Sequence, residues 1–390
     1  MHILIAAVSS ARNPSGICRH AANLAKSLAE APGISRVTLL LGPWQVAYFQ
    51  HAFGLQCAKL QVATADVDNN SWARNVWYYR MLPLLAEEHA ADVVHLSFPV
   101  PVSRRRFRRP VLVSLHDLYP YDIPANFGTI RVPFNRAILR QCLNDSDAVV
   151  CSSDFTRERL RSLRPEAWRK ATTIRQGVAI DPRRSRMPLI PEISGRSFLL
   201  AVGQHRRNKN LSLLLSAVAE LRQRDQSRGM RLLIVGAEGP ETRTLHAVMK
   251  QHSIQDQVIF RKALSDDELC WLYRNCALLI APSNIEGFGL PVAEALHCGS
   301  RVLCSDIPVF REVGGEQCSY FALTQNKPVN TLADAIQSAL DGVSPQASAS
   351  NRFSPSEIAR QHVRLYASLI SGDHLLRPQA DPVRYEGYAS

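Results

Sequence analysis

The sequence lacks the long apolar runs and paired cysteines that mark membrane-spanning and metal-stapled proteins. No window approaches the roughly 20 apolar residues that a spanning helix needs. The nine cysteines include no C-x-x-C pair, so neither a zinc ribbon nor a dithiol redox site is indicated. Several cysteines fall inside apolar runs, which is typical of buried thiols in a reduced compartment. We therefore expect a cytoplasmic protein.

The N-terminal segment differs from the pattern that is typical of a cleavable leader. The segment Met1–Ala11 is apolar, but no basic flank precedes it and its apolar core is short. It therefore favours a first strand over a signal peptide. Peripheral attachment to the inner face of a membrane is left open.

Acidic residues are fewer than basic residues. The 34 Asp and Glu are outnumbered by 46 Lys and Arg, which gives a formal net charge of +12. This excess predicts anionic partners. Nucleic acid is not favoured, because there is no zinc spacing, RNP-like aromatic motif or continuous basic helix. The densest run, Arg104–Arg109, fits either a solvated loop or a patch that contacts anionic lipid or a lipid diphosphate.

Short apolar segments alternate with helical segments, which predicts α/β architecture with doubly wound parallel sheets. The predicted strands are His2–Val8, Arg36–Leu41, Asp92–Leu96, Val111–Leu115, Ala148–Cys151, Ser197–Val202, Arg231–Gly236, Val258–Phe260, Ala277–Ala281 and Arg301–Cys304. The order of strand, polar loop and helix begins at His2 and begins again at Ser197. The 390 residues are therefore expected to form two Rossmann-like domains, each binding ligands at the carboxyl ends of its strands.

The stretch Ser283–Gly299 contains the strongest candidates for ligand-binding residues. A strand leads into a glycine-bearing loop, Pro291 suits the first turn of a helix, and Gly299 suits its end. Such a loop presents backbone N–H groups to a phosphate. Phosphate would repel Glu286 and Glu294, so we expect their partners to be hydroxyls at the two ends of a ligand with an anionic centre. A nucleotide sugar has this shape; the alternative is a structural loop with one glutamate near a helix N-terminus.

The segment from Glu286 to Gly299 reads E-G-F-G-L-P-x-x-E-A-L-x-x-G. It resembles the signature of retaining GT-B glycosyltransferases of family four, which build bacterial polysaccharides and glycolipids. The resemblance implies two facing Rossmann-like domains with a cleft between them. It also implies that Glu286 lies beside the donor sugar and phosphates and that Glu294 binds the ribose. The residues whose backbone would meet the sugar hydroxyls and the diphosphate are Phe288, Gly289 and Leu290.

Two segments of the first half resemble motifs of the same family. Residues 15–20, S-G-I-C-R-H, resemble its glycine-rich loop G-G-I-G-R-Y, with Gly16 at the position of close approach to a ligand and Ser15 and Cys18 in place of glycines. His116-Asp117 follows a predicted strand and matches the H-D motif. That match implies that His116 orients the transferred sugar, and we do not assign it the role of a general base.

Two loops of the second half resemble the family's donor-binding loops. Gly203–Asn210 resembles G-x-x-x-x-R-K-N, in which Lys209 matches the cation that neutralises the departing diphosphate. Gln204 and Asn208 stand where relatives carry arginine, so Arg206 or Arg207 would supply the missing charge. The loop that begins at Arg261 corresponds to the one that holds the nucleobase.

The resemblance also assigns the domains. Residues 1–183 are expected to form the acceptor-side domain, 184–196 a linker, 197–353 the nucleotide-sugar-binding domain, 354–370 a helix that crosses back to the first domain, and 371–390 a tail. The predicted helix caps are Asp154 and the capping boxes that start at Ser265 and Ser354.

The expected activity is retaining, metal-independent transfer of a hexose, with mannose favoured, from a GDP- or UDP-linked donor to a glycan or lipid-linked acceptor. No D-x-D motif follows a predicted strand, and Asp66-x-Asp68 precedes a polar turn. We expect no cofactor and no metal. Two alternatives stay open: a non-catalytic protein that binds sugar nucleotides or polyanions, and a GT-B epimerase.

Overall fold

The computed structural model describes residues 1–10, 16–127, 131–224, 229–262, 264–323, 326–342 and 351–373. The chain forms two compact units, one made of residues 1–179 with the chain from 351, the other of residues 180–350. Asp181 and Pro182 pack in the second unit, where their carbonyls accept hydrogen bonds from Cys270 and Arg274. The division therefore lies ahead of the sequence-based boundary at 183. Most of the predicted tail lies outside the described residues.

The first unit alternates strands and helices. Its elements up to residue 173 are β1 (His2–Ala6), α1 (Gly16–Glu30), β2 (Arg36–Leu41), α2 (Pro43–Phe53), β3 (Leu60–Thr64), α3 (Ser71–Arg80), α4 (Leu82–Glu88), β4 (Val93–Leu96), β5 (Val111–Leu115), α5 (Tyr119–Asp122), α6 (Arg131–Asp145), β6 (Ala148–Cys151), α7 (Asp154–Leu163), α8 (Pro165–Trp168) and β7 (Ala171–Thr173).

The second unit repeats this plan. Its elements are β8 (Phe198–Val202), α9 (Leu211–Gln223), β9 (Arg231–Val235), α10 (Thr242–Gln251), β10 (Val258–Arg261), α11 (Asp266–Asn275), β11 (Leu278–Ala281), α12 (Leu290–His297), β12 (Val302–Ser305), α13 (Pro308–Gly314), β13 (Ser319–Phe321) and α14 (Pro328–Asp341). The last helix, α15 (Pro355–Ser371), belongs to the first unit, where Ile358, Ala359 and Tyr366 join a core cluster with β1 and α1.

Each unit is built on one parallel sheet. The orders are β3-β2-β1-β4-β5-β6-β7 and β10-β9-β8-β11-β12-β13. Apolar side chains fill both faces: in β1, Ile3 and Ile5 belong to one core cluster and Leu4 and Ala6 to another, as expected for a sheet covered by helices on both sides. The strand order reverses beside β1 and beside β8, and in such sheets the loops that diverge at this point form the ligand crevice.

Several local predictions need correction. The N-cap of α7 is Ser153, whose hydroxyl accepts a hydrogen bond from the Thr156 amide, and not Asp154. The capping box at Ser265 forms, but Ser354 makes no side-chain cap to α15. The helical stretch between β3 and β4 is divided at Met81 into α3 and α4.

Candidate functional site

In the second unit, two loops meet at the carboxyl edge of the sheet because β8 and β11 are neighbours. The Asn284 amide, in the loop after β11, donates to the carbonyl of Asn208, in the loop after β8, at 2.9 Å. The side-chain amide of Asn210 donates to Asn284 Oδ1 at 3.0 Å. These bonds fix the two loops to each other.

The same loops bring together Lys209 and Glu286. Lys209 Nζ lies 2.6 Å from Glu286 Oε1, and the hydroxyl of Ser283 donates to that oxygen at 2.7 Å. The side chains are only 19% and 7% exposed. Each charge compensates the other, because removing one partner of a buried pair leaves the other charge uncompensated. The pair therefore holds a cation and a carboxylate together at the edge of the sheet.

The N-terminus of α12 lies beside this pair. Pro291 has no N–H, and the amides of Val292 and Ala293 already donate to the carbonyl of Gly289. The amides of Gly289 and Leu290 are therefore the candidates to meet a phosphate at this helix end. Gly289 has a φ of +86°, and a Cβ there would lie 2.7 Å from a ring carbon of Phe310. Only glycine suits this position.

Glu294 lies on α12 and is buried. The hydroxyl of Tyr273, on α11, donates to its Oε2 at 2.9 Å. Tyr273 is itself held by Ser300, whose hydroxyl donates to its carbonyl at 2.6 Å. The carboxylate therefore has a fixed orientation.

The remaining predicted residues of this unit are less closely grouped. Gln204 and Arg206 are half-buried, Arg207 is exposed and Phe288 is buried. Within the described residues neither Arg206 nor Arg207 forms an ion pair. The guanidinium of Arg261 instead pairs with Glu192 at 2.9 Å. Contact of Arg261 with a nucleobase would require this ion pair to open or the backbone to make the contact.

In the first unit, Gly16 is the exposed first residue of α1, and a Cβ on it would meet no atom of the described residues within 4 Å. Ser15 lies outside the described residues. Cys18, which replaces a family glycine, is buried, and its sulfur lies 3.2 Å from the hydroxyl of Ser9. The described residues therefore leave open space beside Gly16, as a loop that receives a ligand requires.

His116 follows β5 directly. Its Nε2 lies 2.8 Å from the carbonyl oxygen of Ser97, after β4, and its Nδ1 lies 3.1 Å from the side-chain nitrogen of Gln176, after β7. A carbonyl oxygen can only accept, so Nε2 carries the hydrogen and Nδ1 accepts from the Gln176 amide. The hydroxyl of Ser152, after β6, donates to the His116 carbonyl at 2.9 Å. Both the ring and the backbone of His116 are therefore held by neighbouring strand ends.

Four histidines are buried close together in this unit: His20, His95, His116 and His362. The ring centroids of His20 and His116 are 4.8 Å apart, and those of His95 and His362 are 5.6 Å apart. Burial lowers the pKa of His116 to about 4, with the hydrogen bond to Ser97 acting weakly in the opposite direction. Burial also lowers the pKa of His20, and the nearby imidazoles lower it further. These rings are therefore neutral at pH 7.

The arginine run Arg104–Arg109 is partly structural. Arg104 begins a 3₁₀ turn and pairs with Asp147 at 2.7 Å. The other four arginines are exposed. Arg106 lies over the ring of Tyr79, 5.1 Å from its centroid, and Arg108 approaches Glu87 at 3.9 Å. Arg106 and Arg108 therefore lie beside α3 and α4.

Sequence reasoning missed the partners that hold these residues. Ser283 could have been suspected from its place three residues before Glu286. Tyr273 and Gln176 are distant in sequence from the residues they bond, and no local spacing identifies them. Among the described residues, no helix is long and apolar enough to cross a membrane, and no group of three or more His, Cys, Asp and Glu could hold a metal ion.

Two doubly wound parallel sheets define the class of the protein as a GT-B fold. The structure matches sucrose-phosphate synthase from Thermosynechococcus elongatus with a TM-score of 0.71 and 17% identity, covering 95% of this chain and 99% of that one. It matches Anabaena HepE in complex with UDP and glucose with a TM-score of 0.66 and 20% identity, covering 94% and 99%. At these identities the matches establish the fold.

The sequence matches the profile of Glycosyltransferase Family 4 over residues 14–182 and that of Glycosyl transferases group 1 over residues 188–354. Together these matches span most of the chain, which belongs to the group 1 glycosyltransferases of family four. It is 26% identical over 217 residues to O-antigen chain mannosyltransferase B of Escherichia coli, covering 54% of this chain and 56% of that protein. The chain thus spans about half the length of the curated relatives it matches.

Proposed function

We propose that the protein is a retaining, metal-independent glycosyltransferase that moves a hexose from a nucleotide-diphosphate sugar to a glycan or lipid-linked acceptor. Mannose is the favoured sugar, since the similar protein from Escherichia coli is named an O-antigen chain mannosyltransferase. Polysaccharide or glycolipid synthesis is the corresponding process. The observation that carries the proposal is the buried pair of Lys209 and Glu286 beside the N-terminus of α12.

The proposed chemistry follows from charge. When the bond between sugar and diphosphate breaks, negative charge grows on the diphosphate. Lys209 and the amides at the start of α12 are oriented in advance, and such groups stabilise growing charge without reorganisation. The carboxylate of Glu286 orients Lys209 and accepts hydrogen bonds from sugar hydroxyls. Glu294, held by Tyr273, accepts from the ribose hydroxyls.

Two roles remain in the first unit and two in loops of the second unit. His116 orients the transferred sugar, and Gly16 gives a ligand close access to the start of α1. Arg206 or Arg207 adds positive charge at the diphosphate, and the loop at Arg261 holds the base. A donor linked to GDP or UDP suits these contacts; no cofactor and no nucleic acid is involved.

The test measures release of nucleotide diphosphate with a panel of GDP- and UDP-sugars and lipid-linked acceptors, with and without a chelator. NMR of the product determines whether the anomeric configuration is retained. We expect Lys209→Met and Glu286→Gln each to lower kcat by about 10²–10³-fold. The double variant should regain stability, because no lone charge stays buried, but it should not regain turnover. Neutralising the exposed pair Arg222–Asp256 is the matched control.

Three results would contradict the proposal. Undiminished transfer in both single variants would place the active centre elsewhere. Donor-dependent thermal stabilisation without turnover would favour a non-catalytic binding protein. Conversion of the donor into its epimer would favour an epimerase.

A further inference from the structure

Gln176 is a residue to which no sequence motif assigned a role in catalysis. The parallel strands β4, β5, β6 and β7 are consecutive in the sheet. Each is followed by a member of one hydrogen-bonded group: Ser97, His116, Ser152 and Gln176. All four residues are buried. The residues that follow β4, β6 and β7 therefore determine the position of His116, which follows β5.

The hydrogen bonds of this group allow one protonation state of His116. The Ser97 carbonyl requires a hydrogen on Nε2, and the Gln176 amide requires a lone pair on Nδ1. An imidazolium would place two N–H groups against one another at Nδ1. Because Gln176 is uncharged, it holds the ring without attracting a proton, which a carboxylate at the same place would do.

The surroundings agree with this state. Two other buried imidazoles interact electrostatically with this ring: His20 on α1 and His95 on β4. Both of them also interact with His362 on α15. Asp117 is next in the chain, and its carboxylate accepts from the Tyr119 amide at 3.1 Å. A proton on His116 would therefore be added to a cluster of imidazoles with burial opposing it.

We propose that Gln176 is a positioning residue that holds His116 as the neutral Nε2–H tautomer, with Nδ1 kept as a hydrogen-bond acceptor. A hydroxyl of the transferred sugar then takes the place of the Gln176 amide and donates to Nδ1. The inference rests on the proposed function for its second step, whereas the state of the ring can be measured without turnover.

The test uses Gln176→Glu and Gln176→Met in the full-length protein, with Gln56→Glu as the control because Gln56 is exposed. NMR of ¹⁵N-histidine-labelled protein reports the tautomer and titration of His116. In Gln176→Glu we expect the pKa of His116 to rise, and kcat/KM to fall about tenfold at low pH and to recover as pH increases through the raised pKa. In Gln176→Met we expect the Nδ1 resonance to shift and kcat/KM to fall without a change in the pH profile.

An unchanged His116 resonance in both variants would overturn the assignment, and Gln176→Met keeps that test available if the glutamate variant does not fold. A changed ring state with kcat/KM within about twofold of wild type would overturn the positioning role. Absence of turnover in the wild-type protein would contradict the proposed function and leave the NMR result to decide the state of the ring.

Discussion

The hydroxyl of Tyr273 makes a hydrogen bond to Glu294 in surroundings from which water is excluded. Tyr273→Phe removes one donor from a buried carboxylate, which costs about 1–3 kcal/mol. We expect the affinity for nucleotide diphosphate to fall about tenfold, with a smaller effect on kcat, because the ribose does not react. Isothermal titration with GDP and UDP measures this change.

Tyr48→Phe is the control for Tyr273→Phe, since Tyr48 is only partly buried and lies in the other unit. Equal affinities of wild type and Tyr273→Phe, in protein with a normal melting temperature, would show that Glu294 does not need this partner.

Replacing Gly236 or Gly16 by alanine is expected to have different effects on stability. A Cβ on Gly236 would lie 1.9 Å from the carbonyl oxygen of Gly203, so the loop that leads to Lys209 would have to move. We expect Gly236→Ala to lower the free energy of unfolding by about 1–3 kcal/mol. The new methyl group of Gly16→Ala would meet no atom of the described part of the chain within 4 Å. This variant should therefore keep the melting temperature unchanged and lower transfer activity only through its contact with a ligand.

Denaturant unfolding and initial rates, measured on both glycine variants, separate these effects. A stable and fully active Gly236→Ala protein would contradict the packing of the two loops. Full activity of Gly16→Ala would remove Gly16 from the site.

The resemblance to family four selected Lys209, and residue spacing together with that resemblance selected Glu286; the structure brings the two within 2.6 Å of each other. Neither the resemblance nor the spacing could foresee that the side chain of Arg261 pairs with Glu192, because such pairing depends on how the chain before β8 packs. They also could not assign Ser97 to His116, since only the order of the strands makes them neighbours.

At the scale of elements, the central strands and the edge strand β10 were predicted from the sequence, whereas the edge strands β3, β7 and β13 were not. Buried central strands such as β1 and β5 are continuous apolar runs. The strands β3, β7 and β13 lie at sheet edges and are partly exposed, so their sequences carry a weaker apolar signal. These three strands were not predicted, because a strand at the edge of a sheet is buried on fewer sides than a central strand.

Helix α15 is held to the first unit by a buried polar group. Tyr366 and His95 Nδ1 are hydrogen-bonded at 2.6 Å, His95 Nε2 and the hydroxyl of Ser114 at 2.8 Å, and the ring of His362 stacks on His95. Burial lowers the pKa of His362 to about 4. The unfolded chain, with a histidine pKa near 6.5, therefore binds protons that the folded chain does not.

This difference predicts acid lability of the first unit. Its stability should be complete above about pH 6.5 and should fall as the pH decreases toward 4, by up to about 1.4 kcal/mol per pH unit for each such histidine. His362→Phe keeps an aromatic ring beside His95 and removes one titrating group, so the loss should be less steep. Unfolding curves between pH 7 and 4 measure it. The exposed His51→Gln should match wild type, and an identical slope in His362→Phe would exclude the role of His362.

At the scale of the whole molecule, the sequence pattern and the family resemblance together predicted two features. One is the return of α15 to the first unit, and the other is the repeat of strand, loop and helix. The division near residue 180 depends on individual carbonyl contacts of Asp181 and Pro182. Such contacts have no local sequence signal, which explains why the boundary was placed later in the chain.

The net charge of +12 gives the last prediction, which concerns binding to an anionic membrane. Arg105, Arg106, Arg108 and Arg109 are exposed, and Arg106 and Arg108 contact α3 and α4. On these helices Trp72 is 76% and Leu84 62% exposed. Arginine near an anionic surface contributes about 1 kcal/mol, and exposed apolar side chains can enter the interface. Changing the four arginines to glutamine should therefore greatly weaken binding to phosphatidylglycerol vesicles, and salt should weaken wild-type binding.

The control for this change removes the same charge elsewhere, at the exposed residues Arg183, Arg243, Lys250 and Arg360. Co-sedimentation with vesicles of phosphatidylglycerol and of phosphatidylcholine compares the two variants. If the four arginines of the run Arg104–Arg109 form the contact, only their variant loses binding, because attraction to a surface decays within a Debye length of about 10 Å at 0.1 M salt. Equal losses would assign the binding to net charge, and no binding by wild type would remove the membrane from the partners of this protein.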